Sequence, residues 1–365
     1  MRGKPEIKSI LVYVGSNPDD AIGENVLKLP FLRVLKERYP DARITWIGGV
    51  GPSQFQGVLA SVIDGRVDEC LTDFEISDSA RELFLRWRPL PGRRFDLIID
   101  AQRNIVRTLV LRRIPHRIFI SGCWRFVVSD RKPPANLRRP DLLTDKMLAL
   151  SAAAVDEPVY PSPVWPLSER WRIAAATLLP DGPTYVGLAP GAGKKGTGKC
   201  WPLDRFLALA RLQQDKGRRP VFFIGPGETE WVDRIRAEAP YALIPNEDDA
   251  TVGLKEPALA MALARRVRVG VANCSGIGHI MAAGGPPMVS LFGPTRPSKY
   301  APYASSVISL RAQDFGPSSD IANIPLDAVS AAVEEQIEGP RPGQTAKPDL
   351  SAGSSVLAGA HARRR

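Results

Sequence analysis

What most constrains this chain is a repeated alternation: short β-rich runs, each closed by a turn and followed by a stretch of helical period, in two successive series along the sequence. Such alternation builds parallel α/β sheets, because two parallel strands need a crossover between them and the crossover is usually a helix. In the first series the predicted strands are Ser9–Gly15, Ala42–Gly49, Phe95–Gln102 and Arg117–Gly122, with a helix over Glu24–Arg38. The second series gives strands at Thr184–Gly191, Pro220–Gly227, Arg268–Cys274 and Pro287–Thr295, and a last helix at Leu326–Ile337. Between Val128 and Trp171 the pattern breaks into proline-rich, weakly periodic sequence of the kind that connects domains. The expected division is therefore 1–165, 166–338 and a basic tail, 339–365. The tail has neither periodicity nor bulky core residues and is expected to be disordered. Two α/β units joined by a connection predict a cleft between them, a favoured place for ligands.

Length and charge narrow the function classes. At 365 residues the chain exceeds one typical domain, and its net charge of +10 favours anionic partners. Phosphorylated glycolipid, anionic membrane and nucleic acid fit that charge equally, but the arginine-rich segment Arg103–Arg117 has no aromatics interleaved as a base-stacking platform and no nucleic-acid motif appears, so nucleic acid is not an expected partner. Cys70, Cys123, Cys200 and Cys274 lie far apart, and neither a disulfide framework nor a metal site is expected of them. The apolar run Ile10–Val14 is too short for a signal-peptide core, and no stretch approaches the roughly 18–20 apolar residues of a transmembrane helix. The expectation is a cytoplasmic protein with, at most, peripheral contact at the inner face of a membrane.

Two segments carry the chemical signal. In Val271–Pro297, VANCSGIGHIMAAGGPPMVSLFGPTRP, an apolar strand runs into Ser275-Gly276-Ile277-Gly278-His279 and then a helix of small residues. A turn of that kind aims unpaired N–H groups and the positive end of the helix dipole at whatever binds there, which suits a diphosphate; a plain tight turn is the competing reading. In Ala189–Phe206, APGAGKKGTGKCWPLDRF, small residues open the backbone while Lys194, Lys195 and Lys199 supply charge. Gly193, Gly198 and Lys199 have the spacing of a P-loop, yet Cys200 stands where the magnesium-binding Ser or Thr belongs and Trp201-Pro202 follows where that helix should be running. The helix is instead expected to begin at Pro202. A solvated lysine-glycine loop is the alternative there.

The ordered combination G-K-C-W-P-L-D-R-F, N-C-S-G-I-G-H-I-M-A-A-G-G-P-P and L-F-G-P-T-R-P resembles the donor half of glycosyltransferase family 9, the heptosyltransferases of lipopolysaccharide core assembly. Upstream, I-G-E-N-V-L-K-L-P-F-L-R-V-L-K-E-R-Y-P-D-A is similar to that family's first helix, and F-D-L-I-I-D-A-Q to a later strand, so the likeness spans roughly residues 8–337. It implies two Rossmann-like domains in the GT-B arrangement, with an anionic glycolipid acceptor on the first and a nucleotide-diphosphate sugar, ADP-heptose foremost, on the second. An inverting transfer is the expected reaction, and because no DxD-like metal pair accompanies these turns, no essential metal or cofactor is expected.

Carried over residue by residue, the resemblance makes Glu24 the catalytic base, where the family usually has Asp; Asp19 and Asp20 are rivals, and a plain helix-start acid is the alternative. Donor contacts fall to Gly191, Ala192, Lys199, Ser275, Gly276, Ile277, Gly278 and His279, with Glu228 or Glu230 meeting ribose or sugar hydroxyls. Cys274 stands where the family commonly has a sugar-contacting Asp, and is expected to be a structural thiol rather than a nucleophile. Arg103, Arg107, Arg112, Arg113, His116 and Arg117 crowd one segment, and Arg103, Arg107 and Arg117 are the candidates for an anionic acceptor, against a solvated basic helix face. A non-catalytic sugar-nucleotide-binding protein and a P-loop phosphotransferase are the competing functions.

Overall fold

The computed structural model describes residues 6–15, 21–72, 74–85, 87–137, 140–193, 198–247 and 256–339. The first half runs β1 (Ser9–Tyr13), α1 (Ile22–Val26), α2 (Leu29–Arg38), β2 (Arg43–Ile47), α3 (Ala60–Ile63), β3 (Glu69–Cys70), β4 (Phe95–Asp100), α4 (Ile105–Leu111), β5 (His116–Ser121) and α5 (Leu143–Val155). The second runs α6 (Glu169–Leu178), β6 (Tyr185–Ala189), α7 (Leu203–Asp215), β7 (Arg219–Phe222), α8 (Val232–Glu238), α9 (Pro257–Ala264), β8 (Val267–Asn273), α10 (Gly276–Gly284), β9 (Met288–Phe292), α11 (Pro297–Tyr300), β10 (Val307–Arg311) and α12 (Leu326–Glu338).

The strands form two sheets, ordered β3-β2-β1-β4-β5 and β10-β9-β8-β6-β7, and every pairing is parallel. Helices cover both faces of such sheets, so β6 and β9 are buried throughout and their sequences read as continuous apolar runs. These are the two Rossmann-like domains predicted, facing a cleft as in the GT-B arrangement. Strand order reverses between β1 and β4 and between β6 and β8, and the carboxyl ends of strands at such reversals are where α/β sheets bind ligands.

Three sequence expectations need correction. The helix predicted over Glu24–Arg38 is two helices, α1 and α2, because Pro30 has no N–H to give and its ring would clash with the carbonyl four residues back. The stretch Val128–Trp171 is not all connection, since it contains α5, a 13-residue helix. Ten of its residues are buried, so it shows no polar face and hence no helical stripe. Finally, the edge strands β3 and β10 escaped notice; β3 has two residues and β10 is only half-buried, so neither shows the apolar run of a central strand.

The true connection follows α5 and is stitched to both domains by Trp165. Its indole N–H donates to the Val62 carbonyl at 2.7 Å, and its backbone N–H donates to the Ala283 carbonyl at 2.8 Å. Arg33 on α2 adds a bond to the Val164 carbonyl at 2.7 Å. One apolar cluster runs across the boundary, from Val62 and Leu59 through Trp165 to Ala258 and Leu259, and α1 packs on α10. Of the basic tail expected over 339–365, only Gly339 is described, its carbonyl accepting from Arg268 at 2.8 Å; residues 340–365 lie outside the described residues.

Candidate functional site

The turn after β8 is fixed by small residues at positions where nothing larger fits. Ser275 caps α10, accepting from the Gly278 N–H at 3.3 Å and donating to the Asn273 carbonyl at 3.2 Å. A Cβ on Gly278 would come within 2.7 Å of that carbonyl, so the close turn requires glycine there. The N–H groups of Gly276 and Ile277 open the helix with no partner among the described residues. They and the helix dipole make this end of α10 a place for negative charge.

The loop after β6 is held against the same turn by Asn273, a residue whose role sequence reading missed. Its amide donates to the Pro190 carbonyl at 2.7 Å and its carbonyl accepts from the Trp201 N–H at 3.1 Å, tying both ends of the loop to the end of β8. Trp201 is buried and donates from its ring to Ile324 O at 2.8 Å, which fixes where the loop ends and lets α7 begin at Leu203, one residue past the predicted start. Lys199 is half-buried just before it, near enough for its charge to act on Cys274. Burial pushes the Cys274 thiol up, with Lys199 pulling the other way. A raised thiol is a poor nucleophile. Lys194 and Lys195 lie outside the described residues.

Glu228 and Glu230 part company. Glu228 is buried, accepts from the Gly225 N–H at 3.0 Å, and sits so close under the loop that a Cβ on Gly191 would be 2.6 Å from its carboxyl carbon. Its charge also helps burial raise the Cys200 thiol, to which Ala192 gives a backbone hydrogen bond. Glu230 is exposed. Glu228 is thus the acid that shares a wall with Gly191, Ala192 and Lys199.

Across the cleft, α1 abuts the opening of α10. A Cβ on Gly23 would meet the His279 ring at 2.9 Å and the Gly276 Cα at 3.4 Å, so this glycine lets the two helix starts touch. Glu24, the next residue, lies half-buried in the first turn of α1 with no hydrogen-bond or ion-pair partner among the described residues. Asp19 and Asp20, the rivals, lie outside the described residues. His279 is buried, its Nδ1 has no partner among the described residues, and burial holds its pKa down at about 4, so the ring is neutral.

The first domain contributes a second wall. At the end of β4, buried Asp100 accepts from Thr108 Oγ1 at 2.6 Å, Ser121 Oγ at 2.9 Å and the Gln102 N–H at 2.9 Å, locking together β4, α4 and β5; burial pushes its pKa up to about 6. Beyond it opens a pocket of about 280 Å³ lined by Gln102, Arg103, Gly122, Phe126, Lys146 and Leu150, among others. Burial lowers the Lys146 pKa, and the charges of Arg103 and of Lys299 from the second domain lower it further. The charges of Arg103 after β4 and of Lys299 on α11 thus both act on Lys146 of α5, opposed by that of Asp141, with no carboxylate within ion-pair distance of Lys146 among the described residues. Lys146 was hidden in the supposed connection, and Lys299 follows the Gly293–Pro297 motif without a signal of its own.

Of the three arginines predicted to act together, only Arg103 lines this pocket. Arg107, in the first turn of α4, is held 3.9 Å from Asp78. Arg117 does not join them: it stands at the start of β5, the opposite edge of the sheet from the ligand-binding ends, and donates to the Glu6 carbonyl at 3.3 Å. Arg112 and Arg113 are spent on carbonyls of neighbouring segments.

Comparison with known proteins adds three findings. Residues 85–323 match the family described as Glycosyltransferase family 9 (heptosyltransferase). Lipopolysaccharide heptosyltransferase 3 of Escherichia coli is 23% identical over 312 residues, covering 80% of this chain and 87% of that protein. Among solved structures, a family 9 glycosyl transferase from Veillonella parvula superposes with a TM-score of 0.62 at 21% identity, covering 91% of this chain and 98% of that one. E. coli heptosyltransferase WaaC with ADP gives 0.60 at 17% identity, covering 90% and 99%.

Proposed function

The chain belongs to glycosyltransferase family 9 and is a glycosyltransferase, and from that premise we propose an inverting transfer of a sugar from a nucleoside diphosphate donor to an anionic glycolipid of the lipopolysaccharide-core type. ADP-heptose is the favoured donor, since the relatives are named heptosyltransferases and one solved relative carries ADP. Residues 1–165 serve as the acceptor half and 166–338 as the donor half. The observation that carries the reading is the contact of α1 with the opening of α10, which sets a carboxylate beside the Gly276 and Ile277 N–H groups, none of them with a partner among the described residues.

In this reading the Glu24 carboxylate takes the proton from the acceptor hydroxyl as that oxygen bonds to the anomeric carbon. The bond from that carbon to the diphosphate breaks on the opposite face, and the electron pair leaves with the nucleoside diphosphate. Negative charge growing there is met by the Gly276 and Ile277 N–H groups and by Lys199, donors already in place before the reaction. Ser275 and Gly278 hold the turn, and neutral His279 gives one ring N–H toward the phosphates. Glu228, with Gly191 and Ala192, receives ribose or sugar hydroxyls. Cys274, lacking the charge of an aspartate, offers the sugar a smaller and less polar neighbour, so donor choice is the property it alters. Arg103 and Lys146, both lining the pocket beyond β4, meet the acceptor's anionic groups.

The test is incubation of the protein with a panel of nucleotide sugars and a core glycolipid, reading acceptor mass and the anomeric configuration of the product. Addition of one sugar with inverted configuration is expected. Retained configuration, or nucleotide release without sugar on the acceptor, would contradict it.

A further inference from the structure

Six large apolar side chains stand in water around one helix of the first domain. Phe84 is 85% exposed, Val127 66% and Trp124 64%, and Leu85, Trp87 and Leu109 are exposed as well. A monomeric surface rarely gathers such groups without a partner for them. Leu109 belongs to α4 itself. The segment Phe84–Leu85 follows a 3₁₀ turn, Ala80–Leu83, that packs on α4, and Arg113 fastens it by donating to the Glu82, Leu83 and Leu85 carbonyls. Trp87 is tied back to the same turn through its ring N–H, 2.7 Å from Glu82 Oε2. Arg112 holds the other segment, donating to Val128 O at 2.6 Å and pairing with Asp130 at 2.5 Å.

Backbone strain marks the second segment. Trp124, Arg125 and Phe126 have φ of 46°, 58° and 65°, a left-handed run of three side-chain-bearing residues that persists only where the surroundings hold it. It divides the aromatics: Phe126 is buried in the wall of the pocket that Arg103 and Lys146 line, while Trp124 is exposed. Arg81, Arg88 and Arg125, next to these apolar residues in the chain, are all exposed and without a carboxylate partner among the described residues.

We propose that this face, centred on α4, docks the protein on an anionic lipid bilayer. Phe84, Trp87 and Trp124 enter the headgroup layer, where aromatic side chains are at home, and Arg81, Arg88 and Arg125 meet lipid phosphates. No helix among the described residues is long and apolar enough to cross a membrane, so the contact is superficial. The strained turn makes the face continuous with the pocket, bringing a membrane-borne acceptor to it without leaving the bilayer. The inference deepens the acceptor reading above and rests on it only for that last step.

The experiment is cosedimentation of the full chain with vesicles of phosphatidylethanolamine and phosphatidylglycerol, and with phosphatidylcholine vesicles, alongside transfer to a deacylated, water-soluble acceptor. The wild type should partition onto the anionic vesicles only, with exposed Trp87 and Trp124 quenched by brominated lipid. Phe84→Ser combined with Trp124→Asn, and separately Arg81→Gln with Arg88→Gln and Arg125→Gln, should each weaken partitioning on the order of tenfold. Both variants should keep the wild-type thermal transition and soluble transfer. Undiminished partitioning of either folded variant overturns the proposal, as does a wild type that ignores anionic vesicles. So does a wild-type dimer that Phe84→Ser with Trp124→Asn makes monomeric, which assigns the face to a second copy. Patch-dependent partitioning without transfer to any acceptor keeps the surface and removes the acceptor reading instead.

Discussion

The two walls of the cleft are built by different means. On the second domain, the turn Asn273–His279 and the loop from Pro190 to Trp201 are shaped by backbone: glycines where a Cβ has no room, one asparagine pinning both loop ends, and N–H groups aimed by a helix start. On the first domain, the pocket beyond β4 depends on the long side chains of Arg103 and Lys146, with the charge of Lys299 acting on Lys146 from the other domain. A backbone site suits a ligand part that never varies, such as a diphosphate. Flexible cations suit an anionic surface that differs from one acceptor to the next.

The contrast breaks most severely at Gly278. Gly278→Val puts side-chain atoms against the Asn273 carbonyl, and donor affinity, read by calorimetry, should fall on the order of 100-fold, the equivalent of about 3 kcal/mol of overpacking. Affinity near wild type would show that the turn does not hold the donor. Next comes Lys199→Ala, which removes one charge-assisted contact from a half-sheltered position; donor binding and turnover together should drop by roughly 10- to 100-fold. Lys146→Gln should leave donor affinity untouched and raise the acceptor KM about tenfold, with a matching loss of salt sensitivity in that KM. Equal effects of Lys146→Gln on both substrates would erase the division between the walls.

The smallest effect sharpens the comparison through pH. His279, in the donor wall, has a folded pKa depressed to about 4 from an ordinary 6.5, so the stability tied to its neutral ring is present above pH 6.5 and lost as pH falls toward 4. Asp100, behind the acceptor wall, has a folded pKa raised to about 6 from 3.8, so its contribution is present below pH 3.8 and lost as pH rises through 6. Urea titrations across pH 4–7 should therefore show His279→Gln and Asp100→Asn differing from wild type with slopes of opposite sign. Slopes of the same sign would contradict the burial of one of them.

The same contrast explains what could be read from the sequence. Backbone-built features leave a local signature, and so the small-residue helix after β8, the loop ending in Trp201-Pro202 and the parallel α/β alternation were all visible in order along the chain. Features assembled from distant segments were not. Asn273 shows nothing of its two loop contacts, and Lys146 sits on a helix so thoroughly buried that it lacks a polar stripe. Neighbours in sequence also misled: Arg117 follows Arg113 by four residues, yet the chain has by then reached the far edge of the sheet to begin β5. Pro30 was visible, but the break it imposes between α1 and α2 went unread.

The central claim is that the first domain supplies the base and the second holds the donor, and the paired measurement of rate and donor affinity for Glu24→Gln tests it most directly. That substitution keeps the size of the side chain and removes its capacity to accept a proton. The account predicts turnover lower by roughly 10²- to 10⁴-fold with donor affinity within about twofold of wild type. Turnover near the wild-type rate would contradict it and move the search for a base to Asp19 and Asp20.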